Sequence, residues 1–312
     1  MRICIPDDAP VVLGVSKAWP AFRDKYQAAY FDSLPGTTER LLERLAGAEV
    51  VINIRSSTQF TEQVFAACPS LRMLSIWGTG TDNIDLAAAR RHNVTVTNTP
   101  AVSAPSIAEH SLALMLAVAR RIPYLDAQTR ADQWARGGMV QLIGKTCGVI
   151  GTGAIGARFA NLAAAIGMRV LTWSFRLKPE LPYPSVPIEQ LLQESDVISL
   201  HLRLSDDTRN FLNRDRLALM KPTALFINTA RGPIVDEAAL IEALRERRIA
   251  AAGLDVFDVE PLPPGHPFKS LDNVILTPHC AGITPEVLEA GLSLALTNVE
   301  KWAEGSPQHV VG

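Results

Sequence analysis

The chain has few cysteines, and they lie far apart in the sequence. They form no CxxC pair and have no histidine at metal-ligand spacing (Cys4, Cys68, Cys147 and Cys280). A structural zinc site or a disulfide framework is therefore not expected, and no metal is predicted. Cys280 directly follows His279 and is interpreted as a small packing residue rather than a nucleophile. A reducing cytoplasm is the expected location.

Long apolar runs and an excess of one charge are also missing. The apolar start of the chain is interrupted at Pro6, which is not typical of a signal peptide. The most apolar helical stretch, 106–119, contains Glu109 and His110 and is too short to span a bilayer. The formal net charge is −2, from 30 basic and 32 acidic residues. Neither nucleic acid nor a membrane surface is therefore an expected partner.

The apolar segments that are present alternate with helical stretches. With 312 residues, 47% of them hydrophobic, the chain is long enough for two domains with sizeable cores. Strand-like runs at 50–54, 71–76 and 93–97 predict βαβ units and a parallel sheet in the first domain. A second series has six strand signals and predicts a doubly wound, dinucleotide-binding sheet (148–150, 169–173, 197–200, 224–228, 253–256 and 274–276).

These segments predict an α/β fold of two doubly wound parallel-sheet domains. Residues 1–98 with 286–312 are expected to form a substrate domain, and residues 99–285 a dinucleotide-binding domain. The last helical stretch, 285–302, lies outside the second strand series and is expected to return to the first domain.

A glycine motif follows the first strand of the second series and opens a helix. In this context Gly151 permits a tight turn, Gly153 lets the backbone approach a pyrophosphate, and Gly156 allows close helix packing. The first N–H groups of the helix would then face the phosphates. The motif predicts a dinucleotide site that uses the residues of this turn (Gly151, Gly153, Ala154, Ile155 and Gly156).

The strand at 169–173 should end at the residue that meets the adenosine ribose. NAD-selective sites place an acid there, whereas this chain has Ser174 and Arg176, with Lys178 nearby and no acid before Glu180. A carboxylate would repel a 2′-phosphate, while serine and arginine can bind one. The segment therefore favours NADP over NAD. The alternative is that Arg176 and Lys178 are solvated loop charges in an enzyme that tolerates both cofactors.

Three polar side chains follow strand ends in the second half of the chain, namely Arg231, Glu260 and His279. Ligands of a doubly wound sheet lie outside the carboxyl ends of its strands, so these side chains could converge. Arginine can hold a carboxylate with two parallel hydrogen bonds. Histidine can supply the proton that a carbonyl needs as hydride arrives, and a nearby glutamate would raise the histidine pKa. Taken singly, each of the three could equally be a packing or surface residue.

The segments around these residues resemble the signature segments of the D-isomer specific 2-hydroxyacid dehydrogenase family. The resemblance extends from about Ile54 to Thr284 and rests on several motifs in order (78–85, 108–110, 228–232, 255–261 and 277–279). It implies a Rossmann cofactor domain, a flavodoxin-like substrate domain and a homodimer. It also implies hydride transfer between a nicotinamide cofactor and a small 2-oxo or 2-hydroxy acid.

The resemblance further implies a role for each matching residue. Arg231 would bind the substrate carboxylate and polarise the 2-oxo group, and His279 would be the general acid in reduction, with Glu260 as its partner. Substrate binding is also implied for an arginine and two backbone N–H groups (Arg55, Thr79 and Gly80). The resemblance also implies that Asp255 contacts the nicotinamide amide. Three further residues would line the cofactor cleft (His201, Thr229 and Ala230).

Several members of this family, and one related class, remain alternatives. Formate dehydrogenases have glutamine where Glu260 stands, which argues against that activity. A phosphoglycerate dehydrogenase would often carry an added regulatory domain, whereas this chain ends at Gly312. A glyoxylate or hydroxypyruvate reductase fits Ser174 and Arg176. The alternative from another class is a dinucleotide-sensing corepressor, which can retain the same three residues.

Overall fold

The computed structural model of the chain describes residues 1–176 and 180–312. It contains parallel strands in two sheets (β1 Ile3–Ile5, β2 Ala29–Tyr30, β3 Val50–Asn53, β4 Met73–Ile76, β5 Thr95–Thr97, β6 Thr146–Ile150, β7 Arg169–Trp173, β8 Val197–Leu200, β9 Leu225–Asn228, β10 Ala251–Leu254 and β11 Val274–Leu276). Helices connect most of these strands (α1 Trp19–Tyr26, α2 Thr38–Leu45, α3 Glu62–Ala67, α4 Leu86–Arg91, α5 Ala104–Arg120, α6 Ile122–Arg130, α7 Ala154–Ala165, α8 Ile188–Glu194, α9 Arg214–Ala218, α10 Glu237–Arg245 and α11 Pro285–Ala303).

The chain divides into two compact units. The first unit comprises Met1–Ser103 with Ile283–Gly312, and the second comprises Ala104–Gly282. The assignment of the substrate to one predicted domain and of the dinucleotide to the other stays a prediction. Among the described residues, no helix combines the length and the apolar character needed to cross a membrane.

The sheet of the first unit has the strand order β2-β1-β3-β4-β5, with every neighbouring pair parallel. This is the 2-1-3-4-5 order of flavodoxin-like folds. Successive strand residues face opposite sides, because side chains alternate along a strand. Ile3, Ile5 and Val50 pack in one apolar layer with α1 and α11, while Cys4 and Val51 pack in the other with α2 and α3. Both faces of the sheet are therefore covered, which confirms the predicted doubly wound arrangement.

The sheet of the second unit has six strands among the described residues, in the order β11-β10-β9-β8-β6-β7. All six predicted strands are confirmed, with ends that differ by a few residues at most. Cys147 and Val149 of β6 face the layer of α5 and α7, while Ile150 faces the layer of α8 and α10. This Rossmann-type sheet brings the ends of β6, β9, β10 and β11 to one edge, where the loops that carry the predicted site begin.

Candidate active site

The glycine motif forms a turn that leaves no room for side chains at two of its positions. Gly151 has φ +95°, and a Cβ added there would lie 2.6 Å from the carbonyl oxygen of His201. A Cβ at Gly156 would lie 1.9 Å from the Gly151 carbonyl oxygen. Both contacts are with backbone, so the turn and the helix pack as closely as the motif predicts.

Gly153 differs from these two glycines because the space around it is open. It is the N-cap of the 12-residue helix α7 and makes no side-chain cap. A Cβ at Gly153 would meet nothing within 4 Å. Within residues 1–176 and 180–312, no side chain accepts a hydrogen bond from the first N–H groups of α7, and the helix end is suited to an anion. The arrangement fits the pyrophosphate of a dinucleotide, although the assignment of Ala154 and Ile155 to its binding stays a prediction.

The predicted ribose-binding residues lie just after β7. Ser174 is half-buried and Arg176 is exposed, and Arg176 has no ion pair with any residue that the structure describes. Phe175 between them is 57% exposed and contacts the Trp173 ring at a centroid distance of 4.9 Å. Lys178 lies outside the described residues. A serine hydroxyl and a guanidinium without an ion pair to any described residue therefore follow β7, where a ribose or its 2′-phosphate is expected.

His201 presents its backbone rather than its ring to the glycine turn. Its carbonyl packs against Gly151, while its Nε2 lies 2.9 Å from Ser199 Oγ and its ring lies 5.0 Å from that of Phe159. Burial lowers the pKa of His201 to about 3, so the ring is neutral at physiological pH. Contact of His201 with the cofactor stays a prediction.

The loop that carries Arg231 is shaped by the asparagine at the end of β9. The Asn228 side chain accepts the Ala230 N–H at 2.9 Å and donates to the Arg231 carbonyl at 3.1 Å. A Cβ at Gly232 would lie 2.0 Å from the carbonyl carbon of Phe257, so only glycine allows the two loops to pack this closely. This close approach brings Arg231 near Glu260, whose pKa its charge lowers.

Thr229, predicted to line the cofactor cleft, uses its hydroxyl inside the second unit. It is buried, and its Oγ1 lies 2.8 Å from Ser111 Oγ. Ser111 donates its own proton to the Ile107 carbonyl at 2.7 Å, so it accepts the proton of Thr229. Thr229 and Ala230 can therefore meet a cofactor through their backbone, and that role stays a prediction.

His279 and Glu260 form a close pair. His279 Nδ1 lies 2.6 Å from Glu260 Oε2, and the other carboxylate oxygen accepts the Phe257 N–H at 2.9 Å. Burial raises the pKa of Glu260, but the hydrogen bond and charge of His279, the Phe257 N–H and the charge of Arg231 together lower it below its ordinary value. Glu260 is thus an ionised partner for the imidazole, and Nε2 is the nitrogen that can exchange a proton with a substrate.

Asp255 anchors the loop that carries His279. Its carboxylate is fully buried and accepts the N–H groups of Cys280 and Ala281, each at 3.0 Å. The His279 N–H donates to the Asp255 carbonyl at 2.8 Å, and His279 adopts φ +49°. All these contacts lie within the second unit. The nicotinamide-amide contact expected of Asp255 stays a prediction, whereas its contacts in the structure hold the histidine loop.

A further histidine reaches this anchor from α5. Thr277 donates to Asp255 Oδ1 at 2.5 Å, so its oxygen accepts from His110 Nε2 at 3.1 Å. This network explains the Ala108-Glu109-His110 segment noted in the sequence, because its histidine supports the anchoring aspartate. The sequence alone indicates no role for His110 or Thr277, since neither lies in a local pattern with Asp255.

The loop that carries Glu260 is held from α10. Glu237, the first residue of α10, accepts the Asp258 N–H at 3.1 Å and pairs with His266 Nε2 at 3.1 Å. Burial and the charge of Glu237 raise the pKa of Asp258 to about 6. Glu237 was also missed in the sequence, although its position one residue after Asp236, which caps α10, is a recognisable helix-start signal.

The predicted substrate residues of the first unit lie in two different settings. The Gly78–Gly80 loop is fixed by Thr99, which accepts the Gly78 N–H at 2.8 Å, and the N–H groups of Thr79 and Gly80 have no acceptor among the described residues. Arg55 donates to the Pro10 carbonyl, and its guanidinium lies 5.8 Å from the Trp77 ring. The loop therefore offers two N–H groups, while Arg55 already has local contacts.

The sequence and the fold both match known proteins. The NAD binding domain of the D-isomer specific 2-hydroxyacid dehydrogenases matches residues 112–281. A glyoxylate reductase of Aeropyrum pernix is 40% identical over 90% of this chain and 86% of its own length. A hydroxypyruvate reductase of Thermotoga maritima is 40% identical over 80% of this chain and 82% of its own. The solved structure of an acyclic imino acid reductase in complex with NADPH and D-Arg matches this fold with a TM-score of 0.91, at 29% identity and full coverage of both chains.

Proposed function

The chain belongs to the D-isomer specific 2-hydroxyacid dehydrogenase family, and from that membership we propose its substrate, cofactor preference and residue roles. It is an NAD(P)-dependent oxidoreductase that interconverts a 2-oxo acid and a D-2-hydroxy acid. We propose that it works mainly as a reductase of glyoxylate or hydroxypyruvate. The names of the relatives in Aeropyrum pernix and Thermotoga maritima support this substrate class.

The observation that carries the residue roles is the pair of His279 Nδ1 and Glu260 Oε2, 2.6 Å apart. Glu260 stabilises a protonated imidazole, and His279 Nε2 then donates that proton to the oxygen of the 2-oxo group. Arg231 binds the substrate carboxylate and polarises the neighbouring carbonyl. In the oxidation direction His279 takes the proton back from the hydroxyl. The dinucleotide, when bound, supplies or accepts the hydride.

We propose that the second unit holds the dinucleotide and that the first unit binds the acid. The open N-terminus of α7 suits the pyrophosphate. In the first unit, the N–H groups of Thr79 and Gly80 suit a carboxylate oxygen. Arg55 is proposed to act on the substrate side as well. Asp255 is proposed to meet the nicotinamide amide.

The cofactor is a nicotinamide dinucleotide, and we propose that NADPH is preferred over NADH. Ser174 offers a hydroxyl and Arg176 a cation without an ion pair among the described residues, and neither would repel a 2′-phosphate. The NADPH bound to the imino acid reductase is consistent with this preference.

We also propose that the chain forms a homodimer in the cytoplasm. Several large apolar side chains of the second unit are exposed on and after α6, and apolar patches of this kind mark interfaces (Ile122, Tyr124, Trp134, Met139 and Ile143). The four cysteines are all free, as expected for a reducing compartment.

The test is oxidation of NADPH and of NADH, side by side, with glyoxylate, hydroxypyruvate, pyruvate and larger 2-oxo acids. We expect turnover with the two small acids and at least about tenfold higher kcat/KM for NADPH, which corresponds to about 1.4 kcal/mol. A tenfold preference for NADH would overturn the role given to Ser174 and Arg176. Cofactor binding without oxidation by any acid would instead support the corepressor alternative, which no comparison favours.

A further inference from the structure

Three residues that can bind a metal converge in the second unit, although they lie far apart in the sequence. His110 lies on α5, Asp255 follows β10 and Cys280 follows His279. Nitrogen, oxygen and sulfur atoms of the three side chains all lie within 4.8 Å of one another, and His110 Nε2 lies 3.6 Å from Asp255 Oδ1. Bonds of about 2.0–2.3 Å in a tetrahedral zinc site would place neighbouring ligand atoms roughly 3.3–3.8 Å apart. A movement of about 1 Å would therefore complete such a geometry.

The charges of these groups suit a divalent cation. The Cys280 sulfur lies within 4.8 Å of the Asp255 carboxylate and of His110. A cation that binds this sulfur displaces the thiol proton to solvent, and thiolate plus carboxylate then balance two positive charges. His110 is a neutral ligand once its proton lies on Nδ1. The complex would carry no net charge, which keeps the cost of burial small.

We propose that His110, Asp255 and Cys280 bind Zn²⁺, with water as the fourth ligand. A set of imidazole, carboxylate and thiolate selects zinc over Mg²⁺ or Ca²⁺, which prefer oxygen ligands alone. The His110 side chain is 23% exposed whereas that of Asp255 is 1% exposed, so the ion enters from the side of His110 and Cys280.

Bound zinc would also inhibit the reductase, and this part rests on the proposed function. Asp255 holds the loop that carries His279 and accepts a hydrogen bond from Thr277. A cation on the same carboxylate competes with Thr277 and ties Cys280, next to His279, to α5. The histidine would then be held in a different position.

The first experiment needs no turnover. Cobalt(II) is titrated into the metal-free full chain, without cofactor, and we expect a thiolate-to-cobalt charge-transfer band that saturates at one ion per chain. Zn²⁺ should abolish the band.

Cys280→Ser should lack the band, and His110→Asn should bind cobalt at least about tenfold more weakly. Cys68→Ser is the matched control, because it removes a thiol of the first unit, and it should retain the band. Circular dichroism confirms that each variant is folded.

Absence of the band in the wild-type chain, or its persistence in Cys280→Ser, would overturn the site.

In the activity measurement, Zn²⁺ should inhibit NADPH oxidation, and a chelator should restore it. Cys280→Ser should need at least about tenfold more zinc for the same inhibition. Equal sensitivity of Cys280→Ser would overturn the inhibitory role and point to zinc at His279 and Glu260. If the chain binds cobalt but reduces no 2-oxo acid, the metal site is supported and the proposed function is overturned. If it reduces a 2-oxo acid but does not bind cobalt, the proposed function is supported and the metal site is overturned.

Discussion

Two histidine–glutamate pairs of this chain have nearly the same geometry but very different surroundings. His279 Nδ1 lies 2.6 Å from Glu260 in the second unit, and His92 Nε2 lies 2.7 Å from Glu62 in the first. The two histidine side chains are also similarly exposed, at 35% and 31%. Neither the distance nor the exposure of the histidine therefore distinguishes a candidate catalytic pair from a surface pair.

The surroundings do distinguish them. Glu62 is 49% exposed, and hydrogen bonds from His92 and Arg91 lower its pKa more than burial raises it. Glu260 is less exposed, and its carboxylate is ionised in spite of burial that opposes ionisation. Exposed pairs of the first kind contribute little to stability, because water and salt screen them.

The backbone of the two histidines differs as well. His92 ends α4 with an ordinary conformation, whereas His279 has φ +49° and a backbone N–H held by Asp255. A left-handed conformation at a residue other than glycine is unfavourable and persists only where surrounding contacts impose it. The comparison teaches that the fixed orientation of the ring, more than the pair itself, distinguishes the candidate site.

The largest expected difference between the pairs comes from removing each histidine. His279→Asn should lower kcat/KM for reduction about 10²–10⁴-fold, because it removes the proton donor. Binding of NADPH, followed by its fluorescence, should be largely unchanged. His92→Asn is the matched control and should keep full activity. Comparable activity of the two variants would show that the proton donor lies elsewhere.

A smaller difference is expected when each glutamate loses its charge. The pKa of Glu260 lies below its ordinary value, so the carboxylate is ionised at neutral pH and stops supporting the imidazolium only as pH falls through that lowered pKa. In Glu260→Gln this support is absent at every pH. The alkaline decline of the reduction rate should therefore begin about one pH unit lower, which corresponds to about 1.4 kcal/mol.

The pH profile of kcat/KM measures this shift, with about a tenfold lower rate at mildly alkaline pH. Glu62→Gln should leave the profile where it is in the wild-type chain. An unshifted profile for Glu260→Gln would mean that the glutamate does not act through the charge of His279.

The sequence predicted the six strands of the second sheet because each is an apolar run that leads into polar or glycine-rich residues. It did not predict β1 or β2, which have three and two residues. β2 is too short to show any periodicity, and the apolar run of β1 is interrupted at once by Pro6 and two aspartates, so neither stands out as a strand; pairing with neighbouring strands stabilises both. The helices α1 and α2, which pack on the same sheet, were missed with them.

For the candidate site, residues that follow strand ends could be proposed from sequence, whereas the residues that support them could not. Arg231, Glu260 and His279 each follow an apolar run, which is a local signal. The contact of His110 with Thr277 and Asp255 depends on α5 packing against β10 and β11, and no local spacing encodes it. For the same reason the sequence indicated no metal ligands, since spacing rules detect only ligands that lie close together in the chain.

A third pair, His266 with Glu237, extends the comparison to the smallest expected effect. Glu237 touches no predicted substrate group, but it accepts the Asp258 N–H, two residues before Glu260. Glu237→Ala should free this loop and lower kcat about three- to tenfold with little change in KM, as expected from the loss of one or two hydrogen bonds. Glu237→Gln keeps an acceptor for the same N–H and should restore most of kcat.

Because Glu237 positions Glu260 without changing its charge, the pH at which the rate declines should stay within a few tenths of a unit of the wild-type value. A shift as large as that of Glu260→Gln would mean that Glu237 acts on the proton itself, and an unchanged kcat in Glu237→Ala would mean that the Phe257 N–H alone suffices to hold Glu260.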